Sequence, residues 1–570
     1  MKHSILVIFV VIFGLQASAQ LAPHKYLVKF TDRHNSPYSI SNPSAFLSAK
    51  AIARRNNQGI TIKNNDLPVN PAYIDSVVST GVTLLCISKW FNSVTIYTTD
   101  SIAYAKIRSF PFVLSVDSVT RMMPEGYKNN IPEKKMTYEV NLTSKAGNLL
   151  ENPASVNEMK INSNTYNYGL AANQVTMINL DYLHNLGFSG QGMTIAVIDA
   201  GFNNADTIHE FDSLWINNQI LGTKDFVNPG GNVFTQMEHG MEVLSIMGAN
   251  TSGVIVGTAP KANYWLLRSE DANSENIIEE YNWASAAEFA DSVGADVINS
   301  SLGYTTFDKP WMGHTYADMN GRTCPGSIAA TIAAEKGMIV CNAAGNSGGG
   351  TAWHNIGAPA DADSILTTGS VNDIGNYSNF SSIGPTSDGR IKPTVATEGE
   401  GTVVVHTNGA VSGGNGTSFA TPVLTGATAC LWQAFPTMTN MQIIEAIKQS
   451  ASQYTHPDTL EGWGIPNFAA ANLILSGIKV FNLDDNSFNV FPNPVTNILY
   501  VIFYSSDTEY VDIDIFDIAG KKVLSKPKLH KNEGCNYFAL DNISALSKGV
   551  YILRITTNGK KLTRKIMKVE

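Results

Sequence analysis

The stretch MTIAVIDAG, Met193 to Gly201, decides the architecture. Apolar residues fill it almost without a break as far as Asp199, and Ala200 and Gly201 end it. An unbroken apolar run of this kind suits a strand buried on both faces, as parallel sheets require. ADVINSSL (295–302), MIVCNAA (338–344) and SILTTGSV (364–371) read the same way. Between them, AAEFADSVG (286–294) and PGSIAATIAAEKG (325–337) have helical character and close on glycine. Strands alternating with helices predict an α/β domain, a parallel sheet flanked by helices, over residues 164–478. Ligand sites in such folds lie beyond the carboxyl ends of the strands, where Asp199 stands.

Outward from this domain the pattern changes on both sides. On the N-terminal side, residues 20–123 read as a small α+β unit with helices on one face of an antiparallel sheet. KYLVKF, VTLLCIS, NSVTIYTT and VLSVDSV are its strands, and PSAFLSAKAIARRNNQG has helical spacing up to Gly59. Residues 124–163 are rich in Asn, Lys, Glu and Ser without periodicity, and read as an exposed linker open to processing. On the C-terminal side, residues 479–570 hold short alternating strands such as YVDIDIFD and GVYILRITT, which predict a small β-sandwich.

Met1–Ala19 reads as a signal peptide: Lys2 and His3, an apolar core, then Ala17-Ser18-Ala19 as a cleavage site. No other stretch approaches membrane length, so no membrane span is expected in the mature form. The formal net charge of −9 gives no footprint for nucleic acid. Five cysteines without regular spacing spell neither a disulfide framework nor a zinc site. Cys324, Cys341 and Cys430 leave room for one bridge, but buried free thiols are the expectation.

Several side chains could carry chemistry. Ser418 lies in GNGTSFATPVLTG (414–426), at the start of an apolar helical stretch. Serine is also a favoured helix N-cap, so this residue alone proves little. A nucleophilic serine needs a base, a group to orient it, and donors for an oxyanion. His239 in MEHGMEVLSIMGA projects from a helix start, with Met241, Val243, Leu244 and Met247 behind it. Asp199 at a strand end would be costly unless paired, and an imidazole is a suitable partner. Asn346 in CNAAGNSGGG follows a buried strand among glycines that let backbone approach closely, which suits an oxyanion donor. The chain order Asp, His, Ser is that of subtilisin, whereas α/β-hydrolases run Ser, Asp, His.

With those residues in place, residues 164 to about 476 resemble the subtilisin-family (subtilase) serine endopeptidases. TIAVIDAG is similar to the family's Asp motif, HGMEV to its His motif, and GTAPKA (257–262) to the segment after the His helix. INSSLG is similar to its substrate-pairing strand, AAGNSG to its oxyanion motif, and GTSFATP to its Ser motif. The resemblance implies a peptide-bond hydrolase in which Ser418 attacks, His239 moves the proton, Asp199 orients His239 and Asn346 holds the oxyanion. It implies that Ser301, Leu302 and Gly303 line the cleft beside an extended protein or peptide substrate. Gly357 would sit at the floor of a roomy specificity pocket. No cofactor is implied for the chemistry, and calcium is allowed in a structural role, with no Asp-rich loop that spells a site. Two departures stand out: Ala200 where the family usually has Ser or Thr, and Glu242 where it usually has a second histidine. Residues 20–123 resemble an inhibitory propeptide. Residues 479–570 resemble the sorting domain of the Bacteroidetes type IX secretion system, which implies that machinery as a partner and export across the outer membrane. An inactive subtilase fold serving as a surface adhesion or binding module is the alternative of a different class.

Overall fold

The computed structural model describes residues 24–119, 166–308, 310–350, 352–476, 488–491, 493–505, 510–531, 534–557 and 559–569. The expected signal peptide and the whole of the 124–163 linker lie outside these residues.

The N-terminal unit is a four-stranded antiparallel sheet in the order β2-β3-β1-β4. Its strands are β1 (Lys25–Phe30), β2 (Thr83–Ser88), β3 (Ser93–Tyr97) and β4 (Val113–Ser118). Helices α2 (Pro71–Val78) and α3 (Ser101–Arg108) bury Val77, Ala103 and Ile107 against Val28, Phe30, Val94 and Ile96. Helix α1 (Ala49–Asn57) is shorter than its spacing suggests. The Ser48 hydroxyl accepts from the Ala51 N–H at 3.1 Å and starts the helix there, while Pro43–Ala45 form a separate turn. Nor does α1 serve the sheet with its polar side: it turns Arg54 and Arg55 into the next domain, where both are buried.

That domain is built on seven parallel strands: β5 (Thr194–Asp199), β6 (Ile220–Asp225), β7 (Asn263–Arg268), β8 (Val297–Ser300), β9 (Ile339–Ala343), β10 (Leu366–Val371) and β11 (Val395–Glu398). Their order is β11-β10-β9-β8-β5-β7-β6, every pairing is parallel, and all of β5 is buried. Helices cover both faces, which is why the strands carry no polar alternation. On one face lie α4 (His239–Gly248) and α7 (Thr417–Ala434); on the other lie α5 (Ile278–Val293) and α6 (Pro325–Glu335). Gly294 ends α5 in the left-handed region at φ 87°, a conformation that suits glycine. An antiparallel ribbon, β12 (Glu400–Val405) with β13 (Val411–Asn415), follows and leads into α7.

The C-terminal unit packs a three-stranded sheet on a four-stranded one around Phe488, Leu499, Ile513, Leu553 and Ile566. It is the expected sandwich, and Tyr500 meets Tyr182 of the α/β domain edge-on with ring centroids 5.0 Å apart. Cys86, Cys324, Cys341 and Cys430 are buried free thiols, and burial pushes those of Cys86 and Cys341 up to about 12.

The first two domains meet over a seam of charge. Asp291 of α5 takes Arg54 at 2.6 Å, Arg55 at 2.9 Å and Lys89 at 3.0 Å. Lys336 takes Asp66 at 2.9 Å, which also holds Arg55 at 2.7 Å. The Glu288 carboxylate accepts from the backbone N–H groups of Lys89 and Trp90.

Candidate active site

Asp199 closes β5 with its side chain fully buried. Its Oδ1 accepts the Ala200 N–H at 2.7 Å and lies 2.8 Å from His239 Nδ1. A carboxylate can only accept, so the imidazole donates from Nδ1, and the neutral ring keeps its lone pair on Nε2. Burial works against the imidazolium. The Asp199 charge and hydrogen bond, then Glu242 and Glu238, outweigh it and hold the His239 pKa above its ordinary value.

His239 is the first residue of α4, all of whose residues are buried. The next residue is glycine for a steric reason. A Cβ on Gly240 would fall 2.4 Å from the Gly201 carbonyl oxygen and 2.8 Å from the Asp199 Cβ. Only glycine lets the helix start come this close to the strand end. Gly426 does similar work for α7, where a Cβ would lie 2.0 Å from Thr258 Oγ1 in the GTAPKA segment.

Ser418 is the second residue of α7 and is nearly buried. Its Oγ has no hydrogen-bond partner among the described residues, although its carbonyl accepts from Ser301 Oγ at 2.8 Å. A buried hydroxyl left unpaired costs stability and calls for an explanation. The ring of the next residue, Phe419, lies over His239 with centroids 5.9 Å apart and planes 30° from parallel. The helix start and the imidazole are therefore neighbours.

Asn346 is oriented by the same helix start. Its Oδ1 accepts from the Thr417 N–H at 2.8 Å and the Thr417 hydroxyl at 2.9 Å, which turns Nδ2 the other way. A Cβ built on Gly416 would sit 2.7 Å from Ser418 Oγ and 3.5 Å from Asn346 Nδ2. Gly416 thus keeps open a space bordered by a hydroxyl and an amide donor. Such a space suits an anion forming on an atom attacked by Ser418.

Ser301, Leu302 and Gly303 follow β8. Asn299 fixes them by donating to Ser301 Oγ at 3.2 Å, and Asn342 donates to the Leu302 carbonyl at 3.1 Å. The side of Gly303 where a Cβ would stand is open, with the Ala358 oxygen nearest at 3.8 Å. Tyr304 and Ala358 then exchange backbone hydrogen bonds of 2.6 and 3.1 Å. Gly357 lies against this pairing. A Cβ there would meet the Thr305 methyl at 2.7 Å, so glycine serves backbone approach and Thr305 occupies that room.

His406 is a neighbour of the site that the sequence reading does not single out. Its Nδ1 lies 2.8 Å from Glu242 Oε1, and its Nε2 lies 2.7 Å from Ser412 Oγ. Glu242 stands out as a lone acid on α4 three residues after His239, but nothing in the sequence points to His406 as its partner. Calcium takes oxygen donors. Among the described residues, the one cluster of three His, Cys, Asp or Glu donors is Glu280, His314 and Cys324, whose nitrogen and sulfur do not suit that ion.

Residues 190–464 match the subtilase family, residues 25–136 a peptidase S8 propeptide domain of Bacteroidota, and residues 489–569 a secretion system C-terminal sorting domain. The chain is 30% identical over 300 residues to Subtilisin NAT of Bacillus subtilis subsp. natto, covering 52% of this chain and 70% of that protein. It is 30% identical to Subtilisin of Bacillus pumilus over 52% of this chain and 97% of the relative. Among solved structures, MycP1 from Mycobacterium smegmatis aligns over 55% of this chain and 86% of its own, at 24% identity and a TM-score of 0.42. Among the described residues, no helix is long and apolar enough to cross a membrane.

Proposed function

This chain belongs to the subtilase family, and from that premise we propose that Ser418, His239 and Asp199 are its nucleophile, base and orienting acid. The protein is a serine endopeptidase made as a zymogen, and its sorting domain marks it for secretion or the cell surface. The matched relatives lend no support to the alternative of an inactive adhesion module.

In the proposed reaction, Ser418 Oγ attacks the carbonyl carbon of a peptide bond while His239 Nε2 takes its proton. Asn346 Nδ2 and the Ser418 N–H at the helix start stabilise the oxyanion. The intermediate collapses, and His239 returns the proton to the leaving amine. Water, activated by the same imidazole, then releases the acyl group. Asp199 stays ionised and steadies the imidazolium in each half. Ser301, Leu302 and Gly303 would pair with the extended substrate as an added strand. Every step uses side chains and main-chain groups of this chain.

The observation that carries this reading is the buried Asp199–His239 pair, neighboured by a helix start whose serine oxygen has no hydrogen-bond partner among the described residues. The N-terminal unit would act as inhibitor. Its last described residue, Val119, packs with Leu27 and with Ile278 at the start of α5, and the chain beyond it would enter the cleft until cut within 124–163. The sorting domain from 479 onward would be read by the type IX machinery.

The test is Ser418→Ala. The purified variant should lose casein hydrolysis and labelling by a serine-directed fluorophosphonate while keeping the wild-type circular dichroism. Unchanged hydrolysis by a folded variant would refute the assignment.

A further inference from the structure

We propose that Glu280, His314 and Cys324 form a structural site for a borderline-soft divalent cation of the zinc class, which pins one wall of the substrate cleft. The three residues come from separate places in the chain: the third position of α5, the loop between β8 and α6, and the residue just before α6. The fold brings one donor atom from each to within 4.8 Å of the other two. None is used in the proposed hydrolysis.

The donor set selects the ion. One sulfur, one imidazole nitrogen and one carboxylate oxygen suit zinc or a close relative, and suit calcium or magnesium poorly. The charge balance agrees with the burial. A thiolate and a carboxylate neutralise a divalent ion, so the loaded site is neutral. That matters because Glu280 and Cys324 are both fully buried, and an isolated charge there would be costly. Three protein ligands leave one position of a tetrahedral ion for water.

The surroundings hold the ligands ready. Glu280 Oε1 lies 2.6 Å from His314 Nε2, and Glu280 Oε2 accepts the Gly326 N–H at 2.9 Å. The carboxylate therefore already bridges the loop and α6. Asp361 accepts from the Gly321 N–H at 2.7 Å and from the Ser327 hydroxyl, bracing the chain on both sides of Cys324. Among the described residues, the Cys324 thiol makes one long hydrogen bond, to the Asp318 carbonyl at 3.7 Å. Such outer partners are what metal ligands need to keep their aim.

The site bears on the cleft through the loop it closes. The His314 N–H donates to the Thr305 carbonyl at 2.8 Å. Thr305 fills the space beside Gly357, and Tyr304 pairs with Ala358 directly after Ser301–Gly303. An ion held by His314 and Cys324 ties this loop to α5 and α6 at two points. Removing it frees the wall opposite Gly357 without touching Asp199, His239 or Ser418.

The competing description is a plain His314–Glu280 ion pair beside an inert thiol, and titration separates the two. The full chain carrying Ser418→Ala, which avoids autolysis, is stripped with chelator and titrated with cobalt(II) and cadmium(II) while thiolate-to-metal absorption is recorded. One equivalent should bind, with a charge-transfer band from a single thiolate. Cys324→Ser in the same background should abolish the band. His314→Gln should weaken binding by more than about tenfold, since loss of even an outer partner costs about 10–100-fold. Zinc should displace both probe ions and raise the melting temperature of the parent but not of Cys324→Ser. A band that survives Cys324→Ser overturns the proposal. So does a chain that binds neither probe, or one that His314→Gln leaves at full affinity. The absorption readout is independent of hydrolysis, so failure of the triad assignment would leave this result standing.

Discussion

Replacing Asp291 with Asn should break the zymogen seal while leaving the catalytic machinery alone. Asp291 is fully buried and takes three cations from the propeptide: Arg54, Arg55 and Lys89. Burial opposes its charge, but Lys89, Arg54 and Arg55 outweigh that and hold its pKa well below the carboxylate range. When the propeptide is absent, all four groups face water. Docking desolvates them, and mutual attraction offsets the cost. An amide at 291 removes the attraction and leaves the desolvation. Arg54 is only 3% exposed in the complex and Lys89 9%, so water cannot substitute for the lost anion. Asp66 still serves Arg55, so Arg54 and Lys89 are the two cations that lose their direct ion pair, keeping hydrogen bonds to the Lys336 carbonyl and Ser292 Oγ.

Breaking a buried pair by removing one partner costs about 3–5 kcal/mol. At about 1.4 kcal/mol per decade, the propeptide should bind roughly two to three and a half decades more weakly. The assay is serial dilution of the self-cleaved complex with a chromogenic peptide. The concentration at which half of the activity appears reports the dissociation constant. Asp291→Asn should move it up by at least about two decades, with unchanged kcat once the propeptide is gone. Adding Arg54→Met should recover part of the loss, because a buried apolar side chain needs no counter-ion. A shift below about threefold would refute the reasoning, since the seam would then contribute less than even an exposed pair.

Three further outcomes follow from the site. Asn346→Ala should lower kcat by about 10²–10³-fold with little change in KM, a range that comes from the same loss in the relative subtilisin; equal falls in kcat and rises in KM would argue for a binding role. Gly416→Ala places a methyl 2.7 Å from Ser418 Oγ and 3.5 Å from Asn346 Nδ2, so fluorophosphonate labelling should slow sharply while the folded chain persists. Because the base must be neutral, activity should fall as pH drops through the raised pKa of His239. Glu242→Gln removes one of the charges that raise it and should move the acid limb of kcat/KM to lower pH, whereas His406→Gln unmasks Glu242 and should move it higher.

The α/β core was legible because burial on both faces leaves a plain mark. The runs at 193–199, 338–344 and 364–371 cover their strands with a residue or two to spare. The candidate site stands out in the sequence for another reason. Gly240, Gly416 and Gly426 are each forced by a close approach, so the glycines around His239 and Ser418 record the geometry in the sequence itself. Contacts between distant polar residues leave no such mark. Nothing in the spacing of Glu242 and His406, or of Glu280, His314 and Cys324, announces that they meet. Helix α1 is a similar case. Nothing in the sequence marks Arg54 and Arg55 for burial, yet both are buried against a partner domain.

Helix α5 couples the seal to the cleft, and its composition explains why the seal can open cleanly. Its first turn sets Ile278 against Val119 and Glu280 beside the loop that follows Ser301–Gly303. Its last turns set Glu288 and Asp291 against the propeptide. A seam of leucines would bind as firmly, but its separation would expose an apolar patch on both partners and invite aggregation. Here the buried charges become solvated on release, so the products of separation are soluble. Net affinity from such pairs is modest, while their demand for the right counter-ion is strict. The apolar share of the contact is supplied by Cys86, Trp90 and Phe91, with Phe91 meeting Tyr281 edge-on at 5.9 Å, and by Leu27 and Val119 against Ile278. Proteolysis of those few anchors would release the rest of the seam into water at little cost, which suits an inhibitor that has to be removed once and permanently.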